Sequence, residues 1–330
     1  MDATARTKAK PRSATAHQRA SGADWKVRRA GGVQILRAHQ LVDLDWLVHA
    51  FSTRPGGESE LQSSAGRASE RVLNLGFTDW DDRRNVLRNR EKFTACIGAA
   101  AMDMVALRQM HSDIVHRIEA AASGPTLQGD ALFTRERGIL LTVQTADCVP
   151  ILIADIRARA IAAIHSGWRG TLNRIAEKTL GRMKMEFGTR PEDVIAAIGP
   201  GIGGCCYEVG HEVAKEFAAQ FPQAHEWFKG PFAAIASGDN DPNWLPWLTM
   251  APPGHAPEPP RAHLDLMAAN RSILAAAGVQ PERIVVSQFC TSCRTDLLFS
   301  YRKERKTGRM MAAIGIRGES QTRYGKRKSK

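Results

Sequence analysis

Three residues able to ligate a metal each stand next to an apolar run. His111 follows Leu107-Arg108-Gln109-Met110, and Cys148 lies within Thr145-Ala146-Asp147-Cys148-Val149-Pro150. His165 ends the run Ile161–Ile164 and opens Ser166-Gly167-Trp168-Arg169-Gly170. Two imidazoles and one thiolate suit a three-ligand zinc site whose fourth position is left for water or substrate. Such a zinc lowers the pKa of its bound water to about 7. Asp147, beside Cys148, is placed to orient a ligand or to move a proton. The ligands are 37 and 17 residues apart, so no local motif selects this reading. A metal-free Cys–His nucleophile pair and simple packed side chains fit the same residues.

Two glycine-rich turns accompany them. Gly199-Pro200-Gly201-Ile202-Gly203-Gly204 follows an apolar run and precedes Cys205-Cys206-Tyr207-Glu208, and Arg54-Pro55-Gly56-Gly57 carries its own cation. Backbone N–H groups in such turns can cradle an anion, although neither turn matches a Walker A or dinucleotide fingerprint. Cys290-Thr291-Ser292-Cys293 has the C-x-x-C spacing of a zinc knuckle or a redox pair. With no second C-x-x-C nearby, its thiols are expected to be packed side chains, and no role is assigned to Cys205 or Cys206.

The elements that must position these residues alternate between strand and helix. Short apolar runs at Met104–Leu107, Ile114–Ile118, Ile139–Val143, Val149–Ala154, Ala160–His165, Val194–Ile198, Arg283–Ser287 and Met311–Ile316 read as strands buried on both faces. Leu172, Ile175, Ala176, Leu180, Met183 and Phe187 recur at helical spacing, predicting a helix over Thr171–Phe187 that Gly188 ends. A second helix is expected from about Asp265 to Ala277, with Gly278 as its stop. Residues 230–261 break the rhythm with eight prolines and are expected to be a surface insertion.

Composition narrows the classes of function. The chain has 330 residues, of which 43% are hydrophobic and 24% charged, enough to bury a core. The net charge of +12 is concentrated at the ends: +6 in residues 1–30, +5 in 317–330, and only +1 between them. A nucleic-acid groove would put that excess in the folded body, so no specific nucleic acid is expected. Residues 1–22 and 318–330 read as disordered basic tails around one domain at 23–317. There is no apolar run long enough to cross a membrane and no secretory pattern, which predicts a cytoplasmic protein with reduced cysteines.

The ordered blocks Gln109-Met110-His111, Gly129-Asp130-Ala131-Leu132, Thr145-Ala146-Asp147-Cys148, His165-Ser166-Gly167-Trp168-Arg169-Gly170, Ile198-Gly199-Pro200, Cys205-Cys206-Tyr207-Glu208-Val209 and Phe299-Ser300-Tyr301-Arg302 with Thr307-Gly308-Arg309 are similar to one known family. Phe51-Ser52-Thr53-Arg54 and Leu73-Asn74-Leu75-Gly76 look like its N-terminal blocks. Over roughly residues 45–317 the chain resembles the laccase-domain family, also described as purine nucleoside phosphorylase or peptidoglycan editing factor proteins. The resemblance implies a single three-layer α/β/α domain with a mixed sheet and a His–Cys–His zinc site, carried onto His111, Cys148 and His165. It implies phosphorolysis of adenosine, inosine or methylthioadenosine, with adenosine deamination beside it, so the expected partners are a purine nucleoside and phosphate. Some relatives are instead described as amidases that remove misincorporated serine from peptidoglycan precursors. The chain departs from the family pattern in its tails, in the insertion, and in Ser166, where Ala is common.

The older polyphenol-oxidase label implies copper. Multicopper oxidation needs clustered histidines, and the ten histidines here include no His-x-His pair, so zinc is favoured over copper. Within the nucleoside reading Asp147 is the proton shuttle and Cys148 also belongs to the catalytic group, while Arg54, Asn74 and Arg169 are candidates for phosphate or ribose contacts. The alternatives are the amidase, and RNA or partner binding through the tails without catalysis.

Overall fold

Strands that are apolar on both faces need two covering layers, and here those layers are of different kinds. The computed structural model describes residues 24–62, 69–120, 126–230, 232 and 261–318. Its strands form two six-stranded sheets. The first runs Trp25–Ala30, Val33–Ala38, Leu47–Ser52, Met310–Ile316, Ile139–Thr145, Asp103–Ala106, and the second Ile284–Val286, Val194–Ile198, Val149–Asp155, Ala160–Ser166, Ala131–Thr134, Val115–Arg117. Both are mixed: internal pairings are antiparallel, whereas Asp103–Ala106 joins Ile139–Thr145 in parallel, as do the two edge pairs of the second sheet.

Side-chain alternation shows how the sheets stack. Ile151, Ile153, Ala162 and Ile164 face a core shared with Ile175, Leu180, Met183, Ile273 and Leu274 of two helices, Ile175–Phe187 and Leu266–Ala276. The intervening Leu152, Ala154, Ile161 and Ala163 face Leu141, Val143, Ala312 and Ile314 of the first sheet. The first sheet's other face packs on Phe93, Cys96 and Ile97 of the helix Arg83–Ile97. A strand of period 2 therefore buries one face under helices and the other against a second sheet. Complete burial of large side chains such as Phe51, Phe133 and Phe93 stabilises this stack by about 1.5–3 kcal/mol each.

The expected α/β class with mixed pairing holds, but the strands divide between two sheets, so there are four layers rather than three. Apolar runs cannot distinguish a helix from a second sheet as the cover. The helix expected over Thr171–Phe187 is interrupted: Trp168–Leu172 is followed by Arg174 in the left-handed region (φ 57°) before Ile175–Phe187 begins, and Gly188 (φ 65°) ends it as predicted. The tails at 1–22 and 318–330 and the insertion at 230–261 lie almost wholly outside the described residues. Among the described residues no helix is long and apolar enough to cross a membrane.

Candidate metal centre

The two sheets deliver the three expected ligands to one place. His111 follows the edge strand of the first sheet, Cys148 sits in the connection from the first sheet to the second, and His165 lies near the end of the second-sheet strand Ala160–Ser166. One nitrogen from each imidazole and the Cys148 Sγ lie within 4.8 Å of one another. The two rings meet edge to face, with centroids 5.0 Å apart. His165 is buried, Cys148 half-buried and His111 exposed, so the cluster opens toward solvent on one side.

One buried carboxylate holds two of the ligands. Asp130 accepts from His165 Nδ1 at 2.8 Å, from the His111 backbone N–H at 3.1 Å, and from both N–H and Oγ of Ser112 at 2.6 Å. It thus leaves His165 Nε2 free to face the cluster, the usual arrangement behind a metal-bound imidazole. Gln109 clamps the same segment from the other side: its Nε2 donates to the Gln144 carbonyl at 2.8 Å and its Oε1 accepts from the Gln144 N–H at 2.7 Å. These clamps hold His111 in the left-handed region (φ 60°), and Asp147 is there too (φ 94°). Such backbone costs of order 1–3 kcal/mol per residue and persists where the surroundings over-determine it. Gly167 completes the fit, since a Cβ there would stand 3.0 Å from Cys148 Sγ and 3.2 Å from His111 Cδ2.

Charges in the cluster are mutually dependent. Burial alone would raise the Cys148 thiol, but the His165 charge and hydrogen bonds from both histidines bring it down to about 6. Burial alone would lower His165, but the Cys148 thiolate and Asp130 raise it to about 9. Asp130 is held well below the usual carboxylate range: the hydrogen bonds from His165 and Ser112 outweigh the effect of its burial. A thiolate with two imidazoles, one already oriented by a carboxylate, is a donor set that fits a divalent metal ion.

The remaining predicted residues are distributed differently. Asp147 adjoins the cluster, its carboxylate accepting from Thr291 Oγ1 and from the Arg302 N–H, both at 2.6 Å. Arg169 is exposed with its guanidinium 4.3 Å from the Trp168 ring. Arg54, expected as a free cation, is instead buried between Glu70 and Glu304 at 2.9 and 2.7 Å, over the Phe299 ring. In this arrangement its guanidinium is committed to two carboxylates. Asn74 is fully buried, and its Oδ1 accepts from the Arg309 N–H at 2.8 Å, so it supports Arg309 rather than lining the opening. In the turn 199–204 the N–H groups of Gly199, Ile202 and Gly203 are already bonded to Pro150 O, Asp147 O and Cys290 Sγ, so these three do not cradle an anion. Ser166 donates to Asn270 and hydrogen-bonds Thr171, each at 3.0 Å, filling its site with a buried polar link.

Residue-type reasoning passed over Asp130, Tyr207, Arg302 and Arg309, although all four stand in the family-like blocks quoted above. Arg302 has its guanidinium 5.1 Å from the Tyr207 ring, and Arg309 feels the charges of Asp147 and Cys148. Tyr207 is pushed up to about 12, first by burial and then by the Cys148 charge. Arg169 and Arg302 therefore bring positive charge near Tyr207, and Arg309 near Asp147 and Cys148.

The chain is also similar to known proteins. Residues 48–317 match the family model described as multi-copper polyphenol oxidoreductase laccase. A purine nucleoside phosphorylase of Deinococcus radiodurans is 40% identical over 295 residues, covering 89% of this chain and 97% of the relative. The adenosine deaminase RL5 of an unknown prokaryotic organism is 35% identical over 265 residues, covering 78% of this chain and 88% of the relative. The crystal structure of YlmD from Geobacillus stearothermophilus superposes with a TM-score of 0.69 at 31% identity, covering 89% of this chain and 99% of that one.

Proposed function

Because the chain belongs to the multi-copper polyphenol oxidoreductase laccase family, whose relatives include proteins named purine nucleoside phosphorylase, we propose that it is a zinc-dependent purine nucleoside phosphorylase with adenosine deaminase activity. The observation that carries this reading is the convergence of His111, Cys148 and His165 with one open side. Zinc is preferred to copper because this is the only imidazole-containing ligand cluster among the described residues, and multicopper oxidation needs several. The catalytic domain is taken as 23–317, acting in the cytoplasm.

When bound, zinc supplies a Lewis acid that polarises a substrate oxygen or acidifies water. The chain's own residues do the rest. Asp130 fixes the His165 tautomer and the His111 turn. Arg169, Arg302 and Arg309 hold phosphate against the sugar, where one of its oxygens bonds to C1′ as the bond to the base nitrogen breaks. The Tyr207 phenol, protonated across the physiological range, is a hydrogen-bond donor beside them. Asp147 takes or returns a proton when substrate displaces the Thr291 hydroxyl from its Oδ1, and in deamination it carries the proton from water attacking C6 to the amino group, which leaves as ammonia when the C6–N bond breaks. Arg54 and Asn74 act as positioning residues, holding the chain around Leu297 and Arg309.

The test is product analysis. Purified protein is incubated with adenosine, with and without phosphate, and chromatography resolves adenine, inosine, hypoxanthine and ribose 1-phosphate. Free base and ribose 1-phosphate that require phosphate, with inosine formed in either case, are the expected result. Metal-replete protein that leaves adenosine untouched would overturn the reading and favour the amidase.

A further inference from the structure

Four cysteines lie outside that centre, and the fold brings all of them together. The strands Val194–Ile198 and Ile284–Val286 are parallel neighbours, so the chain leaves both at the same end of the sheet. Pairing continues beyond them through Ser287 N–H to Ile198 O at 2.9 Å, Thr291 N–H to Gly201 O at 3.0 Å and the Gly201–Cys290 bridge. Two tight turns therefore stand side by side, one carrying Cys205 and Cys206, the other Cys290 and Cys293. All four Sγ atoms lie within 4.8 Å of one another. Cys293 is 3.6 Å from Cys205 and 3.4 Å from Cys206, sulfur to sulfur.

These separations identify the chemistry. A disulfide would need about 2.05 Å. Sulfurs at the corners of a tetrahedron around zinc, with Zn–S near 2.3 Å, stand about 3.8 Å apart. Multi-iron clusters hold their cysteine sulfurs further apart than one ion does. The backbone is also arranged for thiolates: the Gly203 N–H donates to Cys290 Sγ at 3.2 Å, while Gly203 O accepts from the Cys206 and Tyr207 N–H groups and fixes the turn. Gly203 leaves the room, since a Cβ there would stand 3.3 Å from both Cys205 Sγ and Cys290 Cβ. Burial does not explain the grouping, because Cys205 and Cys293 are exposed and Cys206 is half-buried. A cavity of about 830 Å³, lined in part by Gly204, Cys205 and Cys290, gives an ion its path in.

We propose that Cys205, Cys206, Cys290 and Cys293 form a second metal site, a closed tetrathiolate that binds one structural zinc ion. It does not depend on the nucleoside reading. Four protein ligands leave no position for substrate, so the ion staples two turns. The staple lies directly behind the first centre: Thr291 follows Cys290 and bonds Asp147, and Tyr207 follows Cys206.

Zinc content of the full-length protein, by elemental analysis after desalting, tests this. The wild type is expected to hold about two ions per chain, and Cys148→Ala and the double variant Cys205→Ser/Cys293→Ser about one each. A double variant that keeps the wild-type zinc content overturns the site, as does a Cys206–Cys293 or Cys205–Cys293 disulfide in a non-reducing peptide map of freshly purified protein. Cobalt-loaded Cys148→Ala keeps the test independent of whether the double variant folds. Intense thiolate-to-cobalt charge-transfer absorption in that protein is expected, and its absence counts against the site. Neither readout involves nucleoside turnover, so the two proposals stand or fall separately.

Discussion

The two sulfur-bearing clusters are built on opposite plans. At His111, Cys148 and His165 the ligands come from segments far apart in sequence, delivered by both sheets and graded from exposed to buried. At Cys205, Cys206, Cys290 and Cys293 the ligands come as two close pairs on neighbouring turns of one sheet. Three protein ligands with an open side are what substrate chemistry requires, whereas four ligands close the shell and serve the fold. The clusters are also joined, because Thr291 and Tyr207 reach from the second toward the first. On the proposed reading the molecule separates holding from reacting while building both on adjacent loops.

The comparison breaks most sharply at Cys148. Cys148→Ala removes the only sulfur from the open centre and should lower phosphorolysis at least about 1,000-fold, with the second zinc retained, as steady-state ribose 1-phosphate assays and metal analysis would show. Asp130→Asn comes next. It removes the anionic acceptor behind His165 and weakens the clamp on the His111 turn, so zinc affinity at the open centre should fall about 10–100-fold in chelator competition. The cysteines of the closed site should give the converse pattern. Cys205→Ser/Cys293→Ser is expected to lower Tm by roughly 5 °C in scanning calorimetry, with a smaller loss of turnover than Cys148→Ala.

The smallest effect concerns a histidine in neither cluster. His49 is fully buried in the strand Leu47–Ser52, where its Nε2 accepts from the Ala38 N–H at 3.1 Å. Burial, with the charge of Arg37, holds it at about 3 against an ordinary 6.5. The native state keeps it neutral, while the unfolded chain takes up a proton below 6.5. Its contribution is therefore complete above pH 6.5 and is lost as the pH falls toward 3, reaching about 2 kcal/mol by pH 5. In metal-free protein, denaturant titrations should show His49→Leu losing less stability than wild type between pH 7 and pH 5, by about that amount. An equal loss would assign acid sensitivity to other groups.

Much of the open centre was legible because chemistry restricts residue type there. His111, Cys148 and His165 stand beside apolar runs, and such runs become strands whose ends converge. What spacing could not reveal was which polar neighbours face inward. Arg54 and Arg169 look alike in sequence, yet Arg54 is consumed by Glu70 and Glu304 while Arg169 is exposed. Their difference depends on partners 16 and 250 residues away. The closed site was illegible for a similar reason: Cys205 and Cys290 are 85 residues apart in sequence, and only the parallel pairing of Val194–Ile198 with Ile284–Val286 brings their turns together. The division into two sheets was hidden because an alternation such as Ile151, Leu152, Ile153, Ala154 buries both faces whatever covers them.

The central claim is that turnover belongs to the open centre alone. It is tested most directly by incubating wild type and Cys148→Ala with inosine and phosphate and measuring ribose 1-phosphate and bound zinc in the same samples. The account predicts phosphate-dependent ribose 1-phosphate from the wild type only, with about one zinc per chain remaining in the variant. Turnover by Cys148→Ala at the wild-type rate would contradict it.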